Sequence, residues 1–265
     1  MKQFVLLFAA AFEMQISTSQ QDIAFISFKD SVSEASKTAL PIQLKNNRLS
    51  IRSTIVPASL ITYGIIAQCN ENLRDFDTSV KKLIRKNNSD FHTSIDDYLQ
   101  YGPAIAVYGL NAIGIKGKSS FVDRSIIYLI ANTIMAVPVQ SIKKITKVQR
   151  PEGFGTNAFP SGHTATAFVA AEFLNQEYKK VSPWYGIAGY ITATTTAILR
   201  MYNNKHWFRD LFPGAGFGIL STKIAYLIYP SIKRRFFKKK SMDTVLIPYY
   251  QNRSAGISLV HNFQQ

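Results

Sequence analysis

Six apolar stretches run through this 265-residue chain, over residues 54–68, 98–115, 125–140, 164–174, 184–199 and 211–229. They are rich in Gly, Ala and Thr, carry few charges, and have lengths that suit helices. Small residues at this density suit close helix packing in a membrane. Several stretches fall short of the ~20 apolar residues that a clean span needs. Glu172 and Lys223 also lie inside two of them. The expected fold class is all-α, a membrane-embedded bundle of about five to six helices, with a soluble bundle as the rival reading. Residues 71–97 are charged and read as a surface helix with a loop. After Met242 the pattern changes to two β-rich runs, 244–250 and 257–263, around the polar segment 251–256. That predicts a short C-terminal β-hairpin.

The N-terminus reads as a secretory signal over 1–19. Lys2 precedes a short apolar run, 4–12, which Glu13 closes, and Ser17-Thr18-Ser19 offers a small-residue cleavage site. An uncleaved anchor is the competing reading. The expected organisation is this signal, a polar leader with a short apolar helix and a charged segment (20–97), a helical core (98–232), and a basic flank with a β-rich tail (233–265).

Lys and Arg outnumber Asp and Glu by 31 to 16, a net charge of +15. Such a balance attracts anions, whether nucleic acid, phosphorylated metabolites or lipid headgroups. No nucleic-acid-binding motif accompanies it. Part of the excess is gathered at Lys233, Arg234, Arg235, Lys238, Lys239 and Lys240, directly after an apolar stretch, as a cytoplasmic membrane flank would be. Lys116-Gly117-Lys118 and Lys179-Lys180 form two more basic loops. If the last five stretches span, all three basic segments share the cytoplasmic side, and the loops at 141–160 and 200–210 face the periplasm. A cleaved signal together with a spanning 54–68 would invert this. Either that stretch does not cross fully, which Pro57 and its shortness allow, or the N-terminus is retained. The single cysteine, Cys69, excludes an intrachain disulfide framework and a cysteine-based zinc cluster, and is expected to be a small buried apolar residue.

Three clusters carry candidate chemistry. Lys143 and Arg150 stand seven apart, two turns along the same face of a helix that Pro151 then ends, so both heads can converge on one anion. Alone, such a pair is usually a solvated helix end. Pro160-Ser161-Gly162-His163 opens an apolar run. Ser161 is a natural N-cap, Gly162 lets a ligand approach the backbone, and the free amides of a starting helix attract anions. His163 would stand at the rim as a proton donor. Alone, this is a capped helix beside an incidental histidine. Arg200, His206 and Asp210 form the third cluster. A carboxylate four residues from a histidine can fix its tautomer and leave the other ring nitrogen as a nucleophile or base. Alone, it is a surface pair. Together the clusters amount to a phosphate site with its catalysts.

The three clusters, in this order, resemble the signature of the type 2 phosphatidic acid phosphatase superfamily. That signature reads Lys-x6-Arg-Pro, Pro-Ser-Gly-His, then Ser-Arg-x5-His-x3-Asp. The likeness spans residues 143–210, within apolar helices from about 98 to 229. Leu199 stands where the family usually has serine. Only eight residues separate Pro151 from Pro160, which leaves no room for a large lid there. The resemblance implies His206 as nucleophile through a phosphohistidine, Asp210 as its orienting partner, and His163 as general acid. It implies Lys143, Arg150, Ser161, Gly162 and Arg200 as phosphate ligands, with no metal and no cofactor. No cluster of acidic residues or histidines with metal-ligand spacing is seen in the sequence. The chain is similar in particular to lipid-phosphate phosphatases of Gram-negative envelopes. Its expected substrate is a phosphorylated lipid such as lipid A, undecaprenyl diphosphate or a phospholipid. The expected location is the inner membrane, with the site facing the periplasm. No nucleic acid and no obligatory protein partner is expected. A soluble periplasmic acid phosphatase and a vanadium haloperoxidase are the alternatives that the same clusters allow, and a non-enzymatic scaffold with a vestigial site is the last.

Overall fold

The computed structural model describes residues 51–236 together with the strand segments 5–8, 244–251 and 254–262. The chain divides into two units, Asn47–Arg234 and a second made of Met1–Asn46 with Arg235–Gln265.

The first unit is helical. Its elements are α1 (Ile51–Cys69), α2 (Glu71–Asn87), α3 (Ile95–Leu99), α4 (Gly102–Ala112), α5 (Phe121–Thr146), α6 (Gly162–Tyr178), α7 (Pro183–Tyr202) and α8 (Phe208–Phe236). Eight helices among the described residues exceed the expected five to six. One extra comes from the charged segment, where Asn70 caps α2 by accepting from the Leu73 amide at 3.1 Å. Another comes from a break in the expected 98–115 helix. α3 stops at Leu99, and Pro103, in the first turn of α4, starts a new helix because its missing N–H costs nothing there.

α6 lies at the centre. Ala165, Val169, Phe173 and Tyr178 on it are fully buried, against residues of α4, α5 and α8. The Phe173 ring sits 4.9 Å from that of Tyr128. Small residues let α8 come unusually close. A Cβ on Gly214 would stand 2.6 Å from the Ser161 carbonyl oxygen, and one on Gly218 2.5 Å from that of Ala165. This spacing of small residues allows backbone-to-backbone contact between helices, and it seats the start of α8 against the start of α6.

α5 and α8 are the two described helices long and apolar enough to cross a membrane. The most apolar window of α5 is only 22% buried, which leaves Phe121, Leu129 and Val137 on the outside. The two charges inside the apolar stretches find each other. Lys223 Nζ lies 3.0 Å from Glu172 Oε1, and Gln176 and Asn175 also donate to that carboxylate. A paired, hydrogen-bonded carboxylate is compatible with an apolar bundle interior. Cys69, in contrast to expectation, is exposed, at the last residue of α1.

The length of α6, about 25 Å for 17 residues, separates two ends of the bundle. At its C-terminal end Lys118 N donates to the Glu177 carbonyl and Ser119 binds the Glu177 carboxylate. The basic loops at 116–118 and 179–180 therefore gather opposite Ser161 and His163.

The second unit contains a three-stranded antiparallel sheet ordered β1–β3–β2, with β1 at Val5–Phe8, β2 at Thr244–Gln251 and β3 at Ser254–Asn262. β2 and β3 form the expected hairpin, with Gln251 opposite Ser254, so the connection is tighter than the sequence pattern suggested. β1 pairs with β3, Val5 opposite Asn262. The rest of the expected signal, the leader up to residue 50 and Lys238–Lys240 lie outside the described residues.

Candidate active site

The first cluster departs from the simple helical picture. α5 ends at Thr146, and Lys147 takes a left-handed conformation (φ 46°) that turns the chain away. Lys143 and Arg150 therefore do not share a helix face. They meet through Asn157 of the following loop. Lys143 Nζ donates to the Asn157 carbonyl at 2.5 Å. Arg150 Nε donates to Asn157 Oδ1 at 2.8 Å. Glu152 also faces the Arg150 guanidinium at 3.5 Å and accepts from Lys205 Nζ at 2.6 Å.

The second cluster begins α6. Ser161 is the N-cap, fully buried, and its Oγ accepts from the Thr164 amide and hydroxyl. A Cβ on Gly162 would lie 3.8 Å from Lys143 Cε, so the first cation runs alongside this helix start. His163 turns its Nε2 to Asp97 Oδ1 at 2.8 Å.

In the third cluster, Arg200 ends α7 and His206 and Asp210 flank the start of α8. Asp210 is fully buried. Its Oδ2 accepts from the Trp207 amide at 2.8 Å, a side chain closing the first turn of its own helix. His206 is also buried, and its Nδ1 pairs with the Ala158 carbonyl oxygen at 2.8 Å, while Asp210 Oδ2 stands 3.6 Å away. The hydrogen-bond acceptor for the ring is thus a backbone carbonyl, with the carboxylate as a nearby charge. A carbonyl can only accept, so Nδ1 carries the proton and Nε2 holds the lone pair.

Burial pushes the His206 pKa down to about 4. Lys143 and Arg200 add to that, and Asp210 opposes it. The imidazole is therefore neutral near neutral pH. Burial also lowers His163, helped by the Arg200 charge and opposed by Asp97 and Asp96.

The eight residues singled out in the sequence converge on the N-terminal end of α6, from the end of α5, the loop before α6, the end of α7, the loop after it and the first turn of α8. The Ser161 amide donates to the Asp210 carbonyl at 2.9 Å, joining the second and third clusters. Two buried groups here, Arg200 Nε and Asp210 Oδ1, have no protein hydrogen-bond partner. Buried donors and acceptors are ordinarily satisfied, and a guanidinium N–H is completed well by an anion's oxygen.

Sequence reasoning missed several members. Asp96 of α3 accepts from Arg200 Nη1 at 2.7 Å and from Asn203 Nδ2 at 2.9 Å, fully buried. Asp97 is the partner of His163. Asn157 gathers the two cations. Asp77 of α2 pairs with Arg209 Nη1 and accepts from the Arg209 amide at 3.1 Å, while Lys81 Nζ donates to the Pro151 carbonyl at 2.6 Å. The charged helix expected on the surface thus braces the loop before α6 and the start of α8. Trp207 donates Nε1–H to the Gln149 carbonyl at 2.9 Å and lies under Lys81 and Arg209. Among the described residues, no three His, Cys, Asp or Glu side chains are grouped as a metal site would need.

Residues 124–234 match the family model described as PAP2 superfamily. The chain is 32% identical over 237 residues to a lipid A 1-phosphatase of Porphyromonas gingivalis, covering 87% of this chain and 50% of that protein. It thus spans about half the length of that curated relative. Among solved structures, a transmembrane PAP2 type phosphatidylglycerolphosphate phosphatase from Bacillus subtilis is 20% identical, with a TM-score of 0.49 over 68% of this chain and 98% of that one. Aquifex aeolicus LpxE is 21% identical, with a TM-score of 0.41 over 55% and 93%. These two superpositions are too loose to carry an assignment by themselves. The family match takes in all three clusters, and it is to the PAP2 superfamily that this part of the chain is similar.

Proposed function

We propose that this chain is a membrane-embedded phosphatase that hydrolyses a phosphate ester or anhydride of an envelope lipid through a phosphohistidine, without a metal ion. The observation that carries this reading is His206. It is a buried, neutral imidazole whose Nδ1–H is held by Ala158, so its Nε2 lone pair is available, with Lys143 and Arg200 as the neighbouring cations.

In the proposed reaction His206 Nε2 attacks phosphorus and the bond to the leaving oxygen breaks. His163 gives its proton to that oxygen. Water then attacks the phosphohistidine, His163 takes a proton from it, the P–N bond breaks and phosphate leaves. Such proton transfers contribute typically ~10²–10⁴-fold. Lys143, Arg150, Arg200, Ser161 and the Gly162 amide hold the phosphoryl oxygens, where negative charge spreads in the transition state. Asp210 supports the cationic ring that forms on His206.

The lipid substrate is supported by the lipid A 1-phosphatase relative and by the exposed apolar surface of α5. The gathering of basic loops opposite the site supports an orientation with the site on the periplasmic face. The test is phosphate release by purified protein in detergent with EDTA, comparing wild type with His206→Ala. The panel holds lipid A, undecaprenyl diphosphate, phosphatidic acid, phosphatidylglycerophosphate and a soluble aryl phosphate. Release that survives EDTA and vanishes in the variant is expected. Release only from the aryl phosphate, by protein that stays soluble without detergent, would replace the lipid reading with that of a soluble acid phosphatase.

A further inference from the structure

Two consecutive acids on α3, outside the matched family region, face the site and divide their work. Asp96 is fully buried and locked to Arg200 and Asn203. Asp97 reaches His163 Nε2 at 2.8 Å and stands 3.5 Å from Arg200 Nη1, with its side chain about half exposed. The segment that carries both is fixed by a reciprocal pair of bonds. Thr93 N donates to Asn203 Oδ1 at 2.9 Å, and Asn203 Nδ2 donates to the Thr93 carbonyl at 2.8 Å. The end of α7 thus holds the start of α3, and Asp97 is presented to His163 from a fixed backbone.

We propose that Asp97 is a positioning residue for the general acid. Its carboxylate accepts the His163 Nε2–H, sets the ring's orientation, and leaves Nδ1–H as the proton delivered to the leaving oxygen. The proposal rests on the reading of His163 as that acid.

The electrostatics follow from the same geometry. The charged groups facing His163 are Asp97 and Asp96 from α3 and Arg200 from α7. Burial and Arg200 favour the neutral ring, which cannot donate a proton from both nitrogens. Asp97 favours the charged ring. A general acid must be protonated, so activity falls as pH rises through its pKa. Removing the Asp97 charge lowers that pKa and moves the alkaline limb of the rate profile to lower pH. An opposite charge at hydrogen-bond distance shifts a pKa by about 1–3 units.

The test uses full-length protein in detergent with ¹³C-labelled histidine. The His163 signal is assigned by its loss in His163→Gln. Wild type, Asp97→Asn and Asp97→Glu are titrated, and kcat/KM for the aryl phosphate is measured across the same pH range. In Asp97→Asn, the His163 midpoint and the alkaline limb should both fall by about one unit. Asp97→Glu, which keeps the charge, should restore most of both. An unmoved His163 titration overturns the proposal whatever the activity does. A moved titration with an unmoved limb overturns the role in proton delivery. Tighter inhibition by inorganic phosphate in Asp97→Asn, with no pH shift, would mark Asp97 as an occupant of the anion site and overturn the positioning role. Failure of the phosphatase reading shows separately, as no release by wild type from any substrate. The positioning role then falls with it even if the titration moves.

Discussion

The backbone amide of Ser161 donates to the carbonyl oxygen of Asp210 at 2.9 Å. One hydrogen bond therefore joins the cap of α6, where an anion would sit, to the first turn of α8, which follows His206. The bond depends on how closely the two helices approach, and that closeness is set by residues with no functional groups.

Gly214→Ala should break this relationship. Its Cβ would meet the Ser161 carbonyl at 2.6 Å, a backbone atom that cannot swing aside. We expect kcat/KM to fall by at least about tenfold, since a misplacement of about 1 Å is enough to cost that, with helix content by circular dichroism retained. Gly109→Ala, which meets nothing within 4 Å, should leave activity unchanged and serves as the control.

The pH profile should report His206 on its acid side. The ring must be neutral to attack, and its pKa is held down to about 4 by burial, Lys143 and Arg200. Activity should persist well below pH 6.5 on this account and fall as pH drops through about 4. Asp210 pulls that pKa upward. Asp210→Asn should therefore move the acid limb lower still, while kcat falls roughly 10²-fold or more because the charged ring loses its counter-charge.

Asp77→Ala should destabilise the protein. It strands Arg209, itself buried, and breaking one side of a buried pair costs about 3–5 kcal/mol. The readout is the thermal midpoint in detergent. Replacing both partners together, as Asp77→Leu with Arg209→Met, should recover part of that loss, because no uncompensated buried charge remains.

Asn157→Ala removes the acceptor of Arg150 Nε but leaves the backbone carbonyl that receives Lys143. Hydrogen bonds to charged groups contribute about 1.5–3 kcal/mol. Inhibition by inorganic phosphate should weaken by about tenfold, with the pH limbs unmoved, since neither histidine is touched.

Much of this was legible along the chain. The helices of the core, the hairpin at 244–262 and the cap at Ser161 follow from apolar runs, alternation and one side chain able to accept an amide. The eight motif residues stand out along the chain because their spacing is local and chemically loaded. The errors were also local. Lys143 and Arg150 were placed on one helix face because seven residues make two turns, but Lys147 leaves the helix between them. The chain does not announce a left-handed lysine.

Tertiary structure alone decided who supports whom. Asp97 is 66 residues from His163, Asp96 is 104 from Arg200, and Asp77 is 132 from Arg209. No periodicity connects positions so far apart, and each acid sits in a segment whose composition reads as ordinary solvated surface. The partner of His206 was hidden for a different reason. It is the carbonyl of Ala158, a group that every residue carries, so residue identity holds no trace of it. The sequence by itself determined which atoms are available for the chemistry. The packing of α3 and α7, and of α6 and α8 at Gly214, determined which are brought within hydrogen-bond reach, because that depends on distances only the folded chain has.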